Sequence, residues 1–323
     1  MKKNIDKSQT SIGIAALAYR LPRNKKSLEQ LEEEKKITSP VSVLHDFGFR
    51  ECYVQSNNES IEGLLLNSAE EVLRENKTTG DSITRIFLYS GINSANNQDE
   101  GNALNLFRYP AAELRHKLGL FNANAIGLSQ QGCSGLLSAI DLADQLLSNS
   151  NTQQESILCA AVDALPAGTK REIMYNIMSD ATAALVVTKN SEKNRIVYFH
   201  QEFQSYYWDT PQHENELLAS YFPMAQRTIE NAVKGAGLTM SDIKWFVPHN
   251  VSLRSWEILS KLLHTPMEKI WSKNISRVGH TVSCDHIINL VDMDKDGYLK
   301  KGDYLALFTF GFGANWSCLI LQH

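Results

Sequence analysis

Three classes of feature are scarce in this chain, and the first is cysteine. Its 323 residues contain five cysteines that are far apart and form no CxxC pair, namely Cys52, Cys133, Cys159, Cys284 and Cys318. Closely spaced cysteine pairs are the usual signature of a structural zinc site or a disulfide framework. We therefore predict neither of these and no metal site. Scattered, unpaired cysteines fit a reduced, cytoplasmic setting best.

The other two scarce features are long apolar runs and blocks of positive charge. No stretch approaches the roughly 20 apolar residues of a membrane-spanning helix. The apolar segment 12–19 is short and lacks a clear cleavage site, so we interpret it as a buried strand and not as an export signal. The formal net charge is −4, which argues against a nucleic-acid partner. With 43% hydrophobic and 21% charged residues, the composition is typical of a globular protein without a membrane span.

What the sequence does contain is an alternation of strands and helices. Predicted strands cover 12–19, 86–89, 124–128, 157–162, 183–188, 243–247, 303–310 and 316–321, and predicted helices cover 61–74, 111–118, 136–147, 221–236, 252–264 and 284–292. This interleaving predicts an α/β fold with largely parallel central sheets, and segment 124–128 is expected to be a buried strand. The similar content of residues 1–190 and 191–323 suggests two related halves, with a boundary near 189–208.

The most informative motif is Gln131-Gly-Cys-Ser-Gly-Leu136. It places Cys133 between a predicted strand and the start of a predicted helix. Gly132 and Gly135 allow a sharp turn there. A thiol at a helix N-terminus is stabilised as a thiolate by the helix dipole, which suits a nucleophile. Taken alone, Cys133 is also explained as a buried structural cysteine, so the other motifs must decide.

Two histidines stand at the edges of predicted elements, at positions that can face a pocket in an open α/β sheet. His249 comes directly after strand 243–247, at a carboxyl edge where active residues cluster. His280 follows a glycine and precedes a helix. Either side chain can shuttle a proton or polarise a carbonyl, and either can also merely cap a loop. The glycine turn 311–315 can aim backbone N–H groups at an oxyanion, although hairpins often use glycine. Together with Cys133 they form a set suited to acyl transfer.

At this point the chain resembles the type III β-ketoacyl-acyl-carrier-protein synthases of the thiolase superfamily. The family's nucleophile motif is similar to Gln131–Leu136, and its His-Gln-Ala-Asn-x-Arg motif is similar to His249-Asn-Val-Ser-Leu-Arg254. Its Gly-Asn-Thr motif is similar to Gly279-His-Thr281, and its Gly-Phe-Gly-Ala-Gly ending to Gly311-Phe-Gly-Ala-Asn315. The motifs occur in the family's order over nearly the whole chain.

The resemblance implies a five-layered αβαβα thiolase-like fold, built from an N-terminal half that carries the nucleophile and a C-terminal half that carries both histidines and the glycine turn. It also implies a homodimer, with a heterodimer of homologous chains as the alternative. No cofactor is bound permanently. The expected substrates are acyl-coenzyme A or acyl-carrier-protein thioesters, with the acyl carrier protein as a partner.

Roles for individual residues follow from the same resemblance. Cys133 is expected to be the nucleophile, and His249 to polarise the thioester carbonyl of a malonyl unit. The backbone N–H groups of Cys133 and Ala314 are expected to form the oxyanion hole. Three further positions are expected to contact substrate or carrier: Ser252, Arg254 and Gly313. Ser252 stands where relatives place an asparagine that contacts pantetheine, and Arg254 would help to dock an acidic carrier.

The main departure from the family is His280, which occupies the position of its asparagine. Elongating ketoacyl synthases use a Cys-His-His set, so decarboxylative condensation with a malonyl-type thioester is the first functional hypothesis. Relatives with an altered third residue transfer the acyl group to an alcohol or amine, which gives the second. A non-catalytic subunit paired with an active homologue is the third. The departures together suggest a specialised pathway, such as secondary metabolism or modified fatty-acid synthesis.

One segment, 292–303, has the acidic and glycine spacing of a calcium-binding EF-hand loop. It ends in aspartate instead of glutamate, and a predicted strand follows it where an EF-hand has a helix. We therefore expect no calcium site there.

Overall fold

The computed structural model describes residues 11–76, 80–92, 104, 107–152 and 154–323. The strands are β1 (Ile12–Arg20), β2 (Lys25–Ser27), β3 (Glu51–Tyr53), β4 (Ile83–Tyr89), β5 (Asn124–Leu128), β6 (Ser156–Asp163), β7 (Glu172–Ile173), β8 (Asn176–Ile177), β9 (Ala181–Lys189), β10 (Arg195–Phe203), β11 (Ile243–Pro248), β12 (Tyr304–Gly311) and β13 (Asn315–Gln322). The helices are α1 (Leu28–Glu33), α2 (Val41–Asp46), α3 (Ile61–Glu75), α4 (Pro110–Lys117), α5 (Gly135–Ser148), α6 (Glu214–Gly235), α7 (Leu253–Leu262), α8 (Lys273–Arg277) and α9 (Asp285–Lys295).

The principal sheet has the strand order β11-β12-β13-β10-β1-β9-β6-β4-β5. From β1 outward, successive pairs are antiparallel, antiparallel, parallel and parallel. From β10 outward, they are antiparallel, antiparallel and parallel. The two runs meet where Gly13 of β1 pairs with Arg195 of β10. The prediction of largely parallel sheets was therefore wrong, because β9 and β13 run against both of their neighbours.

Helices cover both faces of each run of strands. Apolar residues of α5 and α9 share one core with β1, β6, β9, β12 and β13, so these two helices form the central layer. A second core joins α3 and α4 to the outer face of the first run, and a third joins α6 and α7 to the outer face of the second. The central helix α5 buries residues over a wider arc than α3, which buries a single stripe, as a surface helix does. The result is an αβαβα arrangement.

Two local features differ from the sequence predictions. Strand β5 is not buried: it lies at the end of the sheet, and Ile126 in its centre is 42% exposed. Strand β10 lies within the predicted boundary segment 189–208, where no strand was predicted. Its sequence, Arg-Ile-Val-Tyr-Phe-His-Gln-Glu-Phe, has no regular alternation of apolar and polar residues, and none of its residues is buried, although the strand lies between β13 and β1 in the sheet.

Segment 292–303, which has the spacing of a calcium-binding loop, begins inside a helix. Asp292 belongs to α9, where its carboxylate accepts hydrogen bonds from Tyr19 and Asn274, both at 2.9 Å, and pairs with Arg277. Among the described residues, no group of three or more acidic, histidine or cysteine side chains is placed to hold a metal ion. No helix in the described ranges is long and apolar enough to cross a membrane.

Candidate active site

Cys133 lies in a short 3-10 turn, Gly132–Ser134, directly before α5. Its side chain is buried at the bottom of the site, with 7% of the residue exposed. Gly132 has a φ of +50°, and a Cβ there would come within 2.7 Å of the Phe312 backbone nitrogen. The hydroxyl of Tyr89 holds the turn by donating to the Gly132 carbonyl at 2.6 Å. The local sequence therefore fixes the thiol at the N-terminal end of the central helix.

The structure brings His280 to Cys133. The Sγ of Cys133 lies 3.2 Å from His280 Nε2, and His280 Nδ1 lies 2.6 Å from a carboxylate oxygen of Asp285. Because a carboxylate only accepts hydrogen bonds, Nδ1 must carry the proton that it donates. Burial opposes protonation, but the charges of Asp285 and Cys133 outweigh it and hold the pKa of His280 well above its ordinary value. This cysteine, histidine and aspartate chain is a general-base arrangement for a nucleophile.

Asp285 was not predicted from the sequence. It is fully buried at the first position of α9 and accepts backbone hydrogen bonds from Thr281 and Asn250, both at 2.6 Å. Burial alone would raise the pKa of this carboxyl, yet His280 and Thr281 lower it overall, so Asp285 is ionised. It therefore links the two histidine loops. The available signal was an acidic residue five positions after His280, at a helix start.

His249 follows β11 as predicted, and it is 1% exposed. Its ring lies among the rings of Trp256, Phe308 and His280, whose centroids are 6.2, 5.6 and 5.9 Å away. Burial, reinforced by the positive charge of His280, lowers the pKa of His249 well below its ordinary value. His249 is therefore a neutral imidazole at working pH. Its Nε2 lies 3.1 Å from the hydroxyl of Tyr221.

Tyr221 is the second site residue that the sequence analysis missed. It lies on α6, which begins at Glu214, seven residues before the predicted helix start. Its ring packs edge-on against Phe310, with 5.4 Å between the ring centroids. Burial, together with the charge of Cys133, raises the pKa of Tyr221 well above its ordinary value, so the phenol stays protonated.

The glycine turn between β12 and β13 lies against Cys133. However, the N–H of Ala314, which was expected to form part of the oxyanion hole, points elsewhere. Ala314 is fully buried, and its N–H donates to the Gln204 carbonyl at 3.4 Å, so this N–H does not face the cavity. The preceding Phe312 and Gly313 do line the cavity. Neither the Phe312 nor the Cys133 backbone N–H is hydrogen-bonded to another residue in the described part of the chain.

Cys133, Tyr221, His249 and His280 face a cavity of about 830 Å³. Cys133, His249, His280 and Tyr221 form its polar floor, and most of the remaining wall is apolar. The apolar wall residues include Ile92, Leu165, Met178, Leu217, Phe222, Val251, Val282 and Phe310. A cavity of this size and character fits an apolar chain attached to a few polar atoms.

The other predicted contact residues also line the cavity, and each has a partner within the protein. The Ser252 hydroxyl caps α7 by accepting from the Ser255 backbone N–H at 3.3 Å, while the Ser252 backbone N–H donates to Asn176 at 2.9 Å. Arg254 forms an exposed ion pair with Glu257 at 2.8 Å. Arg254 is the one cationic side chain among the described residues that line the cavity, His280 aside.

Comparison with known proteins agrees with this architecture. Residues 233–323 match the family of 3-oxoacyl-[acyl-carrier-protein] synthase III C-terminal regions. Over 315 residues the chain is 22% identical to the β-ketoacyl-[acyl-carrier-protein] synthase III of Aquifex aeolicus strain VF5, covering 94% of this chain and 96% of that protein.

Solved structures show the same fold. The crystal structure of 3-oxoacyl-[acyl-carrier-protein] synthase III from Aquifex aeolicus superposes with a TM-score of 0.81 and 20% identity, covering 97% of this chain and all of that one. The acyltransferase ChlB3 superposes with a TM-score of 0.82 and 19% identity, covering 97% of each chain. This chain therefore has the thiolase-like fold of these structures, and its residues 233–323 match the C-terminal region of the synthase III family.

Proposed function

We propose that the chain takes an acyl group from a thioester onto Cys133 and then condenses it with a malonyl-type thioester. The observation that carries the proposal is the hydrogen-bonded chain from Cys133 through His280 to Asp285 at the floor of an apolar cavity. A nucleophile, a base and a group that orients the base are all within reach of one another.

In the first half-reaction, Cys133 attacks the thioester carbonyl as a thiolate, while its proton stays on Nε2 of the His280 imidazolium. The carbonyl oxygen becomes an oxyanion, which the backbone N–H groups of Cys133 and Phe312 stabilise. Phe312 takes the role that the resemblance assigned to Ala314, because its N–H has no acceptor among the described residues. Collapse of the intermediate breaks the bond to the leaving thiol, which receives the proton from His280.

In the second half-reaction, a malonyl-type thioester loses carbon dioxide. The enolate so formed attacks the acyl carbonyl on Cys133, which creates a carbon–carbon bond and releases the Cys133 thiolate. His249 and His280 lie on the same side of the cavity, with 5.9 Å between their ring centroids. Donors on that side stabilise the enolate oxygen as its charge develops.

Transfer of the acyl group to an alcohol or amine is the second candidate, and Asp285 is the observation that favours it. An asparagine at the position of His280 would always donate a hydrogen bond. Because Asp285 holds the Nδ1 proton, His280 presents an acceptor lone pair at Nε2 once its Nε2 proton has passed to the leaving thiol. That lone pair can take a proton from an acceptor hydroxyl or amine. The third hypothesis, a non-catalytic subunit, predicts loss of the nucleophile. Here Cys133 is present and lies beside His280, which in turn is held by Asp285.

The test is intact-protein mass spectrometry after incubation with acyl-coenzyme A and acyl-carrier-protein thioesters of increasing chain length. We expect a mass increase equal to the acyl group in the wild type and none in Cys133→Ala. Adding a malonyl thioester should discharge the adduct and yield a β-ketoacyl product with loss of carbon dioxide. Discharge only by alcohols or amines would establish the second candidate. No adduct with any donor would contradict both and favour the non-catalytic subunit.

The same proposal includes a homodimer formed through the edge of the sheet at β5. The outer edge of β5 has no partner strand in the described part of the chain. Exposed backbone at a sheet edge is a template for pairing with another strand. Ile126 on this strand and Phe121 just before it are 42% and 61% exposed, so apolar surface lies beside the open edge for a second chain to cover.

A further inference from the structure

The hydroxyl of Tyr221 lies where a substrate carbonyl bound to His249 would be expected to lie. His249 Nε2 lies 3.1 Å from the Tyr221 oxygen, and both side chains line the cavity. A thioester carbonyl could not bind directly to the same Nε2 without displacing the phenol. The phenol is held in place because its ring packs edge-on against both Phe310 and Phe222.

The hydrogen bonds around His249 indicate which nitrogen carries the proton. The Nδ1 atom is buried and has no hydrogen-bond partner among the described residues. A buried N–H without an acceptor is rarer in proteins than a buried acceptor without a donor. The neutral ring is therefore better accommodated with its proton on Nε2, which then donates to the Tyr221 oxygen.

This assignment leaves the hydroxyl proton of Tyr221 free. A phenol accepts through its oxygen and donates through its O–H at the same time. With the oxygen accepting from His249, the O–H projects to another acceptor, and the cavity is the space beside it. A hydrogen bond received by the oxygen also strengthens the bond that its O–H donates, because linked hydrogen bonds polarise one another.

We propose that Tyr221 is a catalytic residue of the second half-reaction, whose hydroxyl donates to the thioester carbonyl of the incoming substrate, with His249 as the positioning residue behind it. The proposal rests on the proposed function, since it names the donor that the condensation requires. It replaces the expectation that His249 itself contacts the carbonyl. No proton is transferred to the substrate in this step: the hydroxyl stabilises the enolate oxygen while carbon dioxide leaves and the new carbon–carbon bond forms.

The test separates the two half-reactions. Wild type and Tyr221→Phe are first acylated on Cys133, and the acyl-enzyme is then mixed with a malonyl thioester while its mass is followed over time. We expect Tyr221→Phe to acquire the acyl group at the wild-type rate and to discharge it about 10²-fold more slowly, the usual effect of losing one oxyanion donor. His249→Gln should slow the same step, and the double variant should be no slower than the slower single variant, because the two residues act as one unit.

Tyr207→Phe is the matched control, because it removes a phenol hydroxyl from a neighbouring aromatic cluster that does not line the cavity. It should discharge at the wild-type rate. An unchanged or faster discharge in Tyr221→Phe would overturn the proposal, and a faster rate would show that Tyr221 blocks His249.

Nitrogen-15 NMR of labelled histidine shows directly which ring nitrogen of His249 carries the proton, without any substrate. A protonated Nδ1 on His249 would also overturn the proposal, whereas acylation without any discharge by malonyl thioester would instead contradict the proposed function.

Discussion

At the residue scale, one buried carboxylate, Asp285, links the two loops that carry His249 and His280. Asp285 accepts from the His280 side chain and from the Asn250 backbone, both at 2.6 Å. It thereby fixes the tautomer of one histidine and the position of the loop that carries the other. A buried carboxylate in this role affects the chemistry far more than its small size suggests, since the wrong histidine tautomer alone disables a triad.

Asp285→Asn should therefore leave the fold intact and impair Cys133. Asparagine cannot hold the Nδ1 proton by charge, so the pKa of His280 should fall and the thiolate–imidazolium pair should lose stability at neutral pH. We expect acylation to slow by about 10²-fold or more. Alkylation of Cys133 by iodoacetamide, followed from pH 5 to 9, should show its rise at a higher pH than in the wild type.

The control is Asp294→Asn, which removes a carboxylate of the same helix that lies at the surface and forms an ion pair with Lys193. Its pH profile should match that of the wild type. If Asp285→Asn also kept the wild-type profile and acylation rate, Asp285 would have no role in orienting His280.

At the scale of elements, periodic patterns were sufficient for a long helix such as α3, but they missed the short helices α1, α2 and α8 and the polar strand β10. The stripe of apolar residues predicted a helix over 61–74, and α3 covers Ile61–Glu75. Strand β10 was not predicted because its polar side chains find their partners on other elements. Gln201 donates a hydrogen bond to Ser317 at 2.9 Å, and Glu202 forms an ion pair with Arg227. Such partners are distant in sequence, so no local pattern reveals them.

The same reasoning explains which site residues could be found. Cys133, His249 and His280 stand at the ends of predicted elements, where the carboxyl edge of a sheet favours function. Asp285 is the first residue of α9 and Tyr221 lies within α6, and the role of each depends on what its helix faces. The start of α6 was also misplaced, which left the direction of Tyr221 undetermined.

The turn before α5 gives a prediction about an element. In Gly132→Ala, the new Cβ would lie 2.7 Å from the Phe312 backbone nitrogen and 2.9 Å from the Gly311 Cα. Because those atoms are backbone, the turn must shift, and the oxyanion donors of Cys133 and Phe312 shift with it. We expect the free energy of unfolding, measured with urea, to fall by about 1–2 kcal/mol from the left-handed backbone alone, and the acylation rate to fall sharply.

Gly119→Ala provides the comparison for that variant. Gly119 also has a positive φ, +67°, but nothing lies within 4 Å of a Cβ there. It should lose a similar amount of stability while acylating Cys133 at the wild-type rate. Equal loss of acylation in both variants would show that general destabilisation, and not the position of the turn, controls the reaction.

At the scale of the whole molecule, one sheet edge is left open by the way the two runs of strands join. β1 and β10 meet in the centre, so β5 and β11 become the two ends. β11 is followed by the loop that carries His249. β5 has no such role, and its outer edge presents Ile126 and a backbone that pairs with no other strand in the described part of the chain. Long, exposed, apolar edges are normally protected or paired, because otherwise they promote aggregation.

Pairing of two chains through β5 predicts a particle of twice the chain mass in sedimentation equilibrium. Ile126→Lys places a charge on the edge, which is how natural edge strands prevent pairing, so this variant should sediment as a monomer. Phe203→Lys, at an apolar side chain of β10 that is 52% exposed, should remain dimeric. A wild type that is monomeric across the concentration range would exclude the homodimer. A wild type that doubles its mass only with a homologous chain would instead establish the heterodimer, with Ile126→Lys again distinguishing β5 from other surfaces.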